Sequence, residues 1–165
     1  MSVAFLSLGS NIDAEFHIRA AVSELRAHFA DCALSPIYRS RAVGFTGNDF
    51  INLVAKVVTP RSPQQLRHFL RALEDRFRRD RTAPKFSDRT LDIDILLFDD
   101  RVLDDRDLQL PRPEILSFAH VLKPLSDLAP DLVHPLERQT MQELWKASGL
   151  EGVSLEPVDL DLDGG

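Results

Sequence analysis

The period of the apolar positions changes along the chain and marks out its elements. Residues 3–8 are short and largely apolar, and Gly9-Ser10-Asn11 stops them, which predicts a buried strand ending in a turn. From Phe16 the apolar positions fall at Ile18, Ala21, Val22, Leu25 and Phe29. That is helical spacing, with Asn11 or Asp13 as the candidate cap. Residues 33–38 read as a second strand, and residues 39–48, with Gly44 and Gly47, as a long loop. Residues 50–59 alternate well enough for a third strand, ended by Pro60. Ser62 then caps a helix with Pro63 at its first position and an apolar face of Leu66, Phe69, Leu70, Leu73 and Phe77. Residues 78–90 are charged, contain Pro84 and have no period, so they predict a loop before a strand at 91–98.

The order strand, helix, strand, strand, helix, strand predicts an α+β fold, a ferredoxin-like βαββαβ sandwich. An extra C-terminal hairpin and helices follow. The hairpin-like stretch covers 99–110 and ends at Pro111 and Pro113; a helix over 115–128 is interrupted by Pro124. A final helix covers 140–147 with Trp145 packing inward. Residues 151–165 hold many acids and no base, so the expected organisation is one domain over 1–150 and a frayed acidic tail over 151–165.

Composition narrows the function. A chain of 165 residues can bury a core without staples, and the single cysteine, Cys32, excludes an intrachain disulfide and a multi-cysteine zinc site. Cys32 itself reads as a small apolar residue at a strand start. No window has the length or flanks of a signal peptide or a membrane span, so the expectation is a cytoplasmic protein with no membrane partner. The net charge of -6 argues against a nucleic-acid footprint over the whole molecule. The charge is unevenly spread: residues 67–89 hold eight Lys/Arg against four Asp/Glu. A partner carrying phosphates would meet this local patch.

The chemistry concentrates at Asp92-Ile93-Asp94. On a strand, side chains at i and i+2 share a face with their roots roughly 7 Å apart. Two carboxylates brought to about 4 Å at an effective dielectric near 20 repel by about 4 kcal/mol. Divalent cations offset this directly, and hard oxygen ligands suit Mg²⁺ bridging substrate phosphates. The plain alternative is a strand with a wet polar face. Asp is depleted in strands, however, and both flanks are apolar. Arg76, Arg78, Arg79, Arg81, Lys85 and Arg89 precede the pair. A solvated loop would explain them too, yet the arginine fork suits phosphate oxygens. Acids for a metal beside arginines for phosphates are the parts that phosphoryl-type transfer uses.

Leu8-Gly9-Ser10-Asn11, Tyr38-Arg39-Ser40, Phe50-x-Asn52, Arg79-x-Arg81 and Arg89-Thr90-Leu91-Asp92-Ile93-Asp94-Ile95 occur in that order. Leu110-Pro111, Val121-Leu122-x-Pro124-Leu125 and Ala129-Pro130-Asp131 follow. In these motifs the chain resembles the 6-hydroxymethyl-7,8-dihydropterin pyrophosphokinases of folate biosynthesis. The resemblance implies transfer of pyrophosphate from ATP to the pterin hydroxymethyl group with release of AMP. It implies that Asp92 and Asp94 bind two Mg²⁺ ions and that Arg79 and Arg89 neutralise charge during transfer. It places Glu74, Arg81, Ile95 and Arg112 at the nucleotide. Asn52 would read the amide-like edge of the pterin, Phe50 and His120 would lie against its ring, and Ser40, Val43 and Gly44 would complete the pocket through backbone groups. Without the resemblance, Phe50 also reads as core packing and Asn52 as a strand-end bond.

The chain departs from the family pattern around both substrates. Ser87-Asp88 stands where Gly-Pro is usual, Arg112 where a histidine is usual between two prolines, and Phe118-Ala119-His120 where Arg-x-Phe is usual. These departures leave open a catalytically impaired or substrate-shifted relative that binds pterin or nucleotide. A nucleic-acid module on the same architecture is the third reading, disfavoured by the acidic balance. Expected partners are small molecules only, acting on a monomer. Asp159-x-Asp161-x-Asp163-Gly164 copies half a calcium loop but has no bidentate Glu after it, so it reads as charged tail. His17, His28, His68 and His134 lack metal-ligand spacing and read as surface or packing residues.

Overall fold

The computed structural model describes residues 1–40, 48–77 and 90–162. Its main sheet uses strands β1 (Ser2–Ser10), β2 (Cys32–Leu34), β3 (Ile37–Ser40), β4 (Phe50–Thr59), β5 (Asp92–Phe98) and β8 (Glu156–Val158). The order is β5-β1-β4-β3-β8, with β2 also paired to β4, and every pairing is antiparallel. The core β5-β1-β4-β3 arrangement, with α1 (Ala14–His28) and α2 (Pro63–Arg76) as crossovers, is the expected ferredoxin-like sandwich.

The two faces of the sheet carry different cores. Leu6, Leu8, Leu53, Ala55, Ile93 and Ile95 pack against Ile18, Val22, Leu25, Leu66, Leu70 and Leu73 of α1 and α2. On the other face Phe5, Val54, Leu96 and Leu97 meet Val121, Leu122 and Leu125 of α3 (Ala119–Leu128) and Met141 and Leu144 of α4 (Met141–Ala147). A register shift between Phe5 and Leu6 sits opposite Leu96 and lets two neighbouring leucines of β5 both be buried. Trp145 packs on the second core, as its position in the helix predicts. The acidic stretch after β5 does form a small hairpin, β6 (Leu103–Asp104) with β7 (Gln109–Leu110).

Local chemistry sets several element ends. Ser62 and Gln65 form a reciprocal capping box on α2, at 3.1 and 2.8 Å, and Thr140 and Glu143 do the same on α4, at 3.1 and 3.0 Å. At α1 the expectation is corrected. Asp13 holds the cap position with φ 46° but makes no side-chain cap bond, and Asn11 instead donates to the Asn48 carbonyl at 3.0 Å. The His17 Nδ1–H donates to the Ile12 carbonyl at 2.6 Å, and its ring meets those of Phe16 and Phe77 edge to face.

Four boundaries differ from the sequence expectation. Gly9 and Ser10, read as part of the turn that stops the first strand, lie inside β1, paired to Asn52 and Ile51 of β4. The strand expected over 33–38 is two strands, because the Ser35 hydroxyl accepts the Val54 N–H at 2.8 Å and Pro36 has no N–H to continue the ladder. The helix expected over 115–128 is a 3₁₀ turn, Pro113–Leu116, followed by α3, and Pro124 lies inside α3 without ending it. The tail is not frayed up to residue 162. Glu156–Val158 pairs with β3 as an outer strand, Leu160 and Leu162 pack on the first core, and Arg26 Nη1 donates to the Leu162 carbonyl at 3.2 Å. Its alternating leucines supply apolar contacts that the acid count concealed. Of the calcium-like run, Asp163 and Gly164 lie outside the described residues.

A chain ending at Ser154 loses this strand and two partly buried leucines. It is expected to be about 2 kcal/mol less stable in urea unfolding; an unchanged midpoint would show that the strand adds nothing.

Candidate active site

The polar residues of the sheet gather on the face that carries α3, at the end of β1 beyond the helix-covered core. Register builds the arrangement. Tyr38 on β3 pairs with Asn52 on β4, Asn52 with Gly9 on β1, and Gly9 with Asp92 on β5. Directly paired residues share a face, so these four form one row across the sheet. The adjacent rows on the same face hold Asp94 beside Ser7 and Phe50 beside Ser40. With strands about 4.8 Å apart, Asn52 and Asp92 stand roughly 10 Å from each other across Gly9.

Gly9 leaves room for the Asn52 amide, which a side chain there would displace. A Cβ on it would fall 2.7 Å from Asn52 Nδ2. The Ser40 hydroxyl donates to Asn52 Oδ1 at 3.0 Å, which fixes the amide with its oxygen toward Ser40 and its NH₂ over Gly9. Asp92 and Asp94 are both partly exposed, whereas Ile93 between them is buried in the opposite core. The pair therefore presents two carboxylates on one face, as the strand reading requires. Among the described residues no third Asp, Glu, His or Cys joins them in a metal-binding group. Two hard oxygen donors that need completion by substrate oxygens and water fit Mg²⁺ better than zinc.

The strand bearing the carboxylates is held from behind. Glu74 is 3% exposed and its Oε2 accepts the Ile93 N–H at 2.8 Å. The carboxylate from the end of α2 thus props the middle of the Asp-Ile-Asp segment. Ser10 performs a similar task at the end of β1, its hydroxyl reaching the Thr90 carbonyl. Arg112 lies beside Asp94, Nη2 to Oδ1 at 3.6 Å, and its Nε is 3.0 Å from Glu114 Oε2. Its backbone N–H donates to the Leu96 carbonyl at 2.9 Å, which ties the segment to β5.

The first turn of α3 forms the wall. The rings of Phe118 and His120 stack at 5.2 Å between centroids and 26° between planes. Burial pushes the His120 pKa down from its ordinary 6.5, opposed in part by the negative charge of Asp92. The imidazole is therefore neutral at pH 7 and sits within electrostatic reach of the carboxylate strand.

Of the residues singled out from sequence, Ser40, Phe50, Asn52, Asp92, Asp94, Arg112 and His120 come together on this face or at its rim. Glu74 is turned into the protein beneath β5. The Ile95 side chain is 3% exposed and packs in the core on the other face, so only its backbone is at hand. Val43, Gly44, Arg79, Arg81 and Arg89 lie outside the described residues, as does the Ser87-Asp88 departure. Sequence reasoning gave Gly9 only a turn and Tyr38 only a strand position, although both stand in quoted motifs, and Asp127 carried no signal at all. Its part depends on how α3 lies over the sheet.

Glu74→Ala leaves the buried Ile93 N–H without its acceptor and is expected to cost about 1–3 kcal/mol in urea unfolding, whereas Glu74→Gln keeps an acceptor oxygen and recovers most of it. A second outcome concerns pH. The unfolded chain takes up a proton at His120 near pH 6.5 while the folded chain resists it, so stability falls as pH drops below 6.5 toward the lowered folded pKa. His134, whose buried Nδ1 accepts the N–H groups of Leu136 and Glu137, acts in the same direction. His120→Phe should flatten the stability–pH curve in that window in part, measured by unfolding at stepped pH.

Comparison with known proteins gives a consistent answer. The family model described as 7,8-dihydro-6-hydroxymethylpterin-pyrophosphokinase matches residues 5–130. The 2-amino-4-hydroxy-6-hydroxymethyldihydropteridine pyrophosphokinase of Synechocystis sp. is 36% identical over 168 residues, covering 93% of this chain and 86% of that protein. The enzyme of the same name from Pseudomonas aeruginosa is 37% identical, covering 93% of this chain and 96% of its own length. Among solved structures, wild-type Plasmodium falciparum HPPK-DHPS superposes with a TM-score of 0.70 at 14% identity over 88% of this chain. That likeness concerns the fold, and the chain spans 44% of the Plasmodium protein's length. The sheet row, the paired carboxylates and these matches agree: the chain belongs to the 7,8-dihydro-6-hydroxymethylpterin-pyrophosphokinase family.

Proposed function

We propose that this chain transfers pyrophosphate from ATP to the hydroxymethyl group of 6-hydroxymethyl-7,8-dihydropterin, releasing AMP, in folate biosynthesis. The observation that carries the reading is the row Asn52–Gly9–Asp92. It sets an orientation-locked amide and a pair of hard carboxylates on one face, roughly 10 Å apart, with no side chain between them. That spacing suits a flat heterocycle at one end and a phosphate chain at the other.

At the heterocycle end, Asn52 offers its NH₂ and the remaining lone pair of an oxygen already held by Ser40. A neutral pterin needs such matched donors and acceptors rather than charge. Phe50 on the adjacent row and His120 on α3 would lie against the ring, with the neutral imidazole backed by Phe118. Backbone groups at Ser40, Val43 and Gly44 would close the pocket. At the phosphate end, Asp92 and Asp94 would hold two Mg²⁺ ions, which supply charge neutralisation to the phosphates and to the reacting hydroxyl. Arg79 and Arg89 would take charge at the transferring group, with Arg81, Arg112 and the backbone at Ile95 near the nucleotide. Glu74 acts on this end through Ile93, by keeping β5 in place.

In the transfer, the pterin hydroxymethyl oxygen forms a bond to the β-phosphorus. The bond from that phosphorus to the α–β bridging oxygen breaks, AMP leaves with the electron pair, and the hydroxyl proton passes to solvent. The chain's own contribution is positioning plus preorganised charge, which suits a reaction with little covalent work for the protein. We take the active unit to be a cytoplasmic monomer of one catalytic domain, 1–150, with residues 151–165 appended. No described helix is long and apolar enough to cross a membrane.

Incubating the chain with ATP, Mg²⁺ and the hydroxymethyl pterin should yield AMP and the pterin pyrophosphate. Asp92→Ala and Asp94→Ala should each lower AMP formation by at least about 100-fold with the circular dichroism spectrum retained. Pterin or nucleotide binding by calorimetry without any AMP from the unaltered chain would overturn the enzyme reading in favour of a binding protein.

A further inference from the structure

The residue that opens the site row has no role in the chemistry just described. Tyr38 shares a face with Asn52, Gly9 and Asp92, and it is 8% exposed. A phenol buried this far needs an acceptor. It finds one outside the sheet: its O–H donates to Asp127 Oδ2 on α3. The other carboxylate oxygen, Oδ1, takes Lys123 Nζ at 2.9 Å, and that ammonium lies 5.6 Å from the centre of the Trp145 ring. Burial and the Asp127 carboxylate both push the Tyr38 pKa up, so the donor proton is kept throughout the working pH range.

Asp127 and His120 are seven residues apart on α3, about two turns, and so lie on the same face of the helix. One end of that stripe is tied to β3 by the Tyr38 hydroxyl; the other carries the imidazole near Asp92 and the stacked Phe118 ring. Pro124 stands between them. It has no N–H to give the His120 carbonyl, so the helix is held less tightly by its own ladder at that point. Val121, Leu122 and Leu125 of α3 also pack in the apolar core with Phe5 and Val54 of the sheet. Such contacts are non-directional and permit sliding. The hydrogen bond is directional and does not.

We propose that Tyr38 and Asp127 form a strut that sets the height and rotation of α3 over the sheet, and thereby the gap between the Phe118–His120 ring pair and Asn52. They are positioning residues for the heterocycle, not contacts to it. The inference deepens the pterin pyrophosphokinase reading above and rests on it for the identity of the ligand. The strut acts on one end of the site only, since the carboxylates of β5 are held independently by Glu74.

The test is Tyr38→Phe, with Asp127→Ala and Asp127→Asn beside it. Tyr38→Phe and Asp127→Ala should raise KM for the hydroxymethyl pterin about tenfold, equivalent to about 1.4 kcal/mol, while KM for ATP and kcat stay within about twofold. Asp127→Asn keeps an oxygen for the phenol and should restore KM. A pterin KM unchanged in Tyr38→Phe, or both KM values rising while kcat falls, would overturn the strut. A second measurement needs no turnover: in the ligand-free protein, the ring signals of Phe118 and His120 should shift in NMR spectra of Tyr38→Phe and return in Asp127→Asn. Unmoved ring signals would overturn the proposal. Absence of AMP from the unaltered chain would count against the enzyme reading alone, because the NMR comparison decides the strut separately.

Discussion

The register of β1 between β4 and β5 is the constraint on which the site depends. β1 is an interior strand, paired along its whole length to β4 and over most of it to β5. Because side chains alternate strictly, a slip of one residue against β5 would turn Asp92 and Asp94 into the α1–α2 core and bring Ile93 and Ile95 to the site face. The same slip against β4 would bury Asn52. Apolar residues on both sides of each strand oppose that slip. Leu6 and Leu8 are fully buried on one face and Phe5 nearly so on the other, so no alternative register keeps both cores dry. The hydrophobic cores thereby place the carboxylates without touching them.

Around this frame, a few buried polar groups make local corrections that apolar packing cannot. Glu74 answers an N–H in the middle of β5, and Ser35 answers one on β4 where the partner strand breaks before a proline. His134, at 2% exposure, gathers two N–H groups of a turn on one ring nitrogen. Each removes the penalty of an unpartnered buried donor, and each fixes geometry at a single point. The site uses the same device in Ser40, which spends its hydroxyl on orienting an amide.

The departures from the family pattern take on physical meaning once placed. Arg112 is shared between Glu114 and Asp94, so its charge lies at the rim of the carboxylate pair and offsets part of their repulsion. Phe118 and His120, which flank Ala119 in the departure from Arg-x-Phe, are a stacked pair that acts as a single wall. A neutral imidazole backed by a phenyl ring is a flat, partly apolar surface, which keeps the stacking function that a lone aromatic would supply.

By itself, the sequence determined the βαββαβ order of the core, the β4 boundaries, the Ser62 cap, the pairing of Asp92 with Asp94 and the direction of Ile93. These are local consequences of period, capping chemistry and turn residues, all readable over a few positions. The motifs also pointed to Asn52 and Phe50 as parts of one site. Only the tertiary structure decided which residues stand opposite one another. Gly9 is a turn residue by sequence, and becomes the gap between Asn52 and Asp92 through two pairings 43 and 83 positions away along the chain. Tyr38 reads as a strand residue, and Asp127, 89 positions on, as one acid among many; their bond exists because α3 folds back over β3. The acidic tail looked unable to pack until β8 found the edge of β3. Composition and period carry information about burial, but pairing between distant segments is set by the total packing of both cores, which no short window of the chain contains.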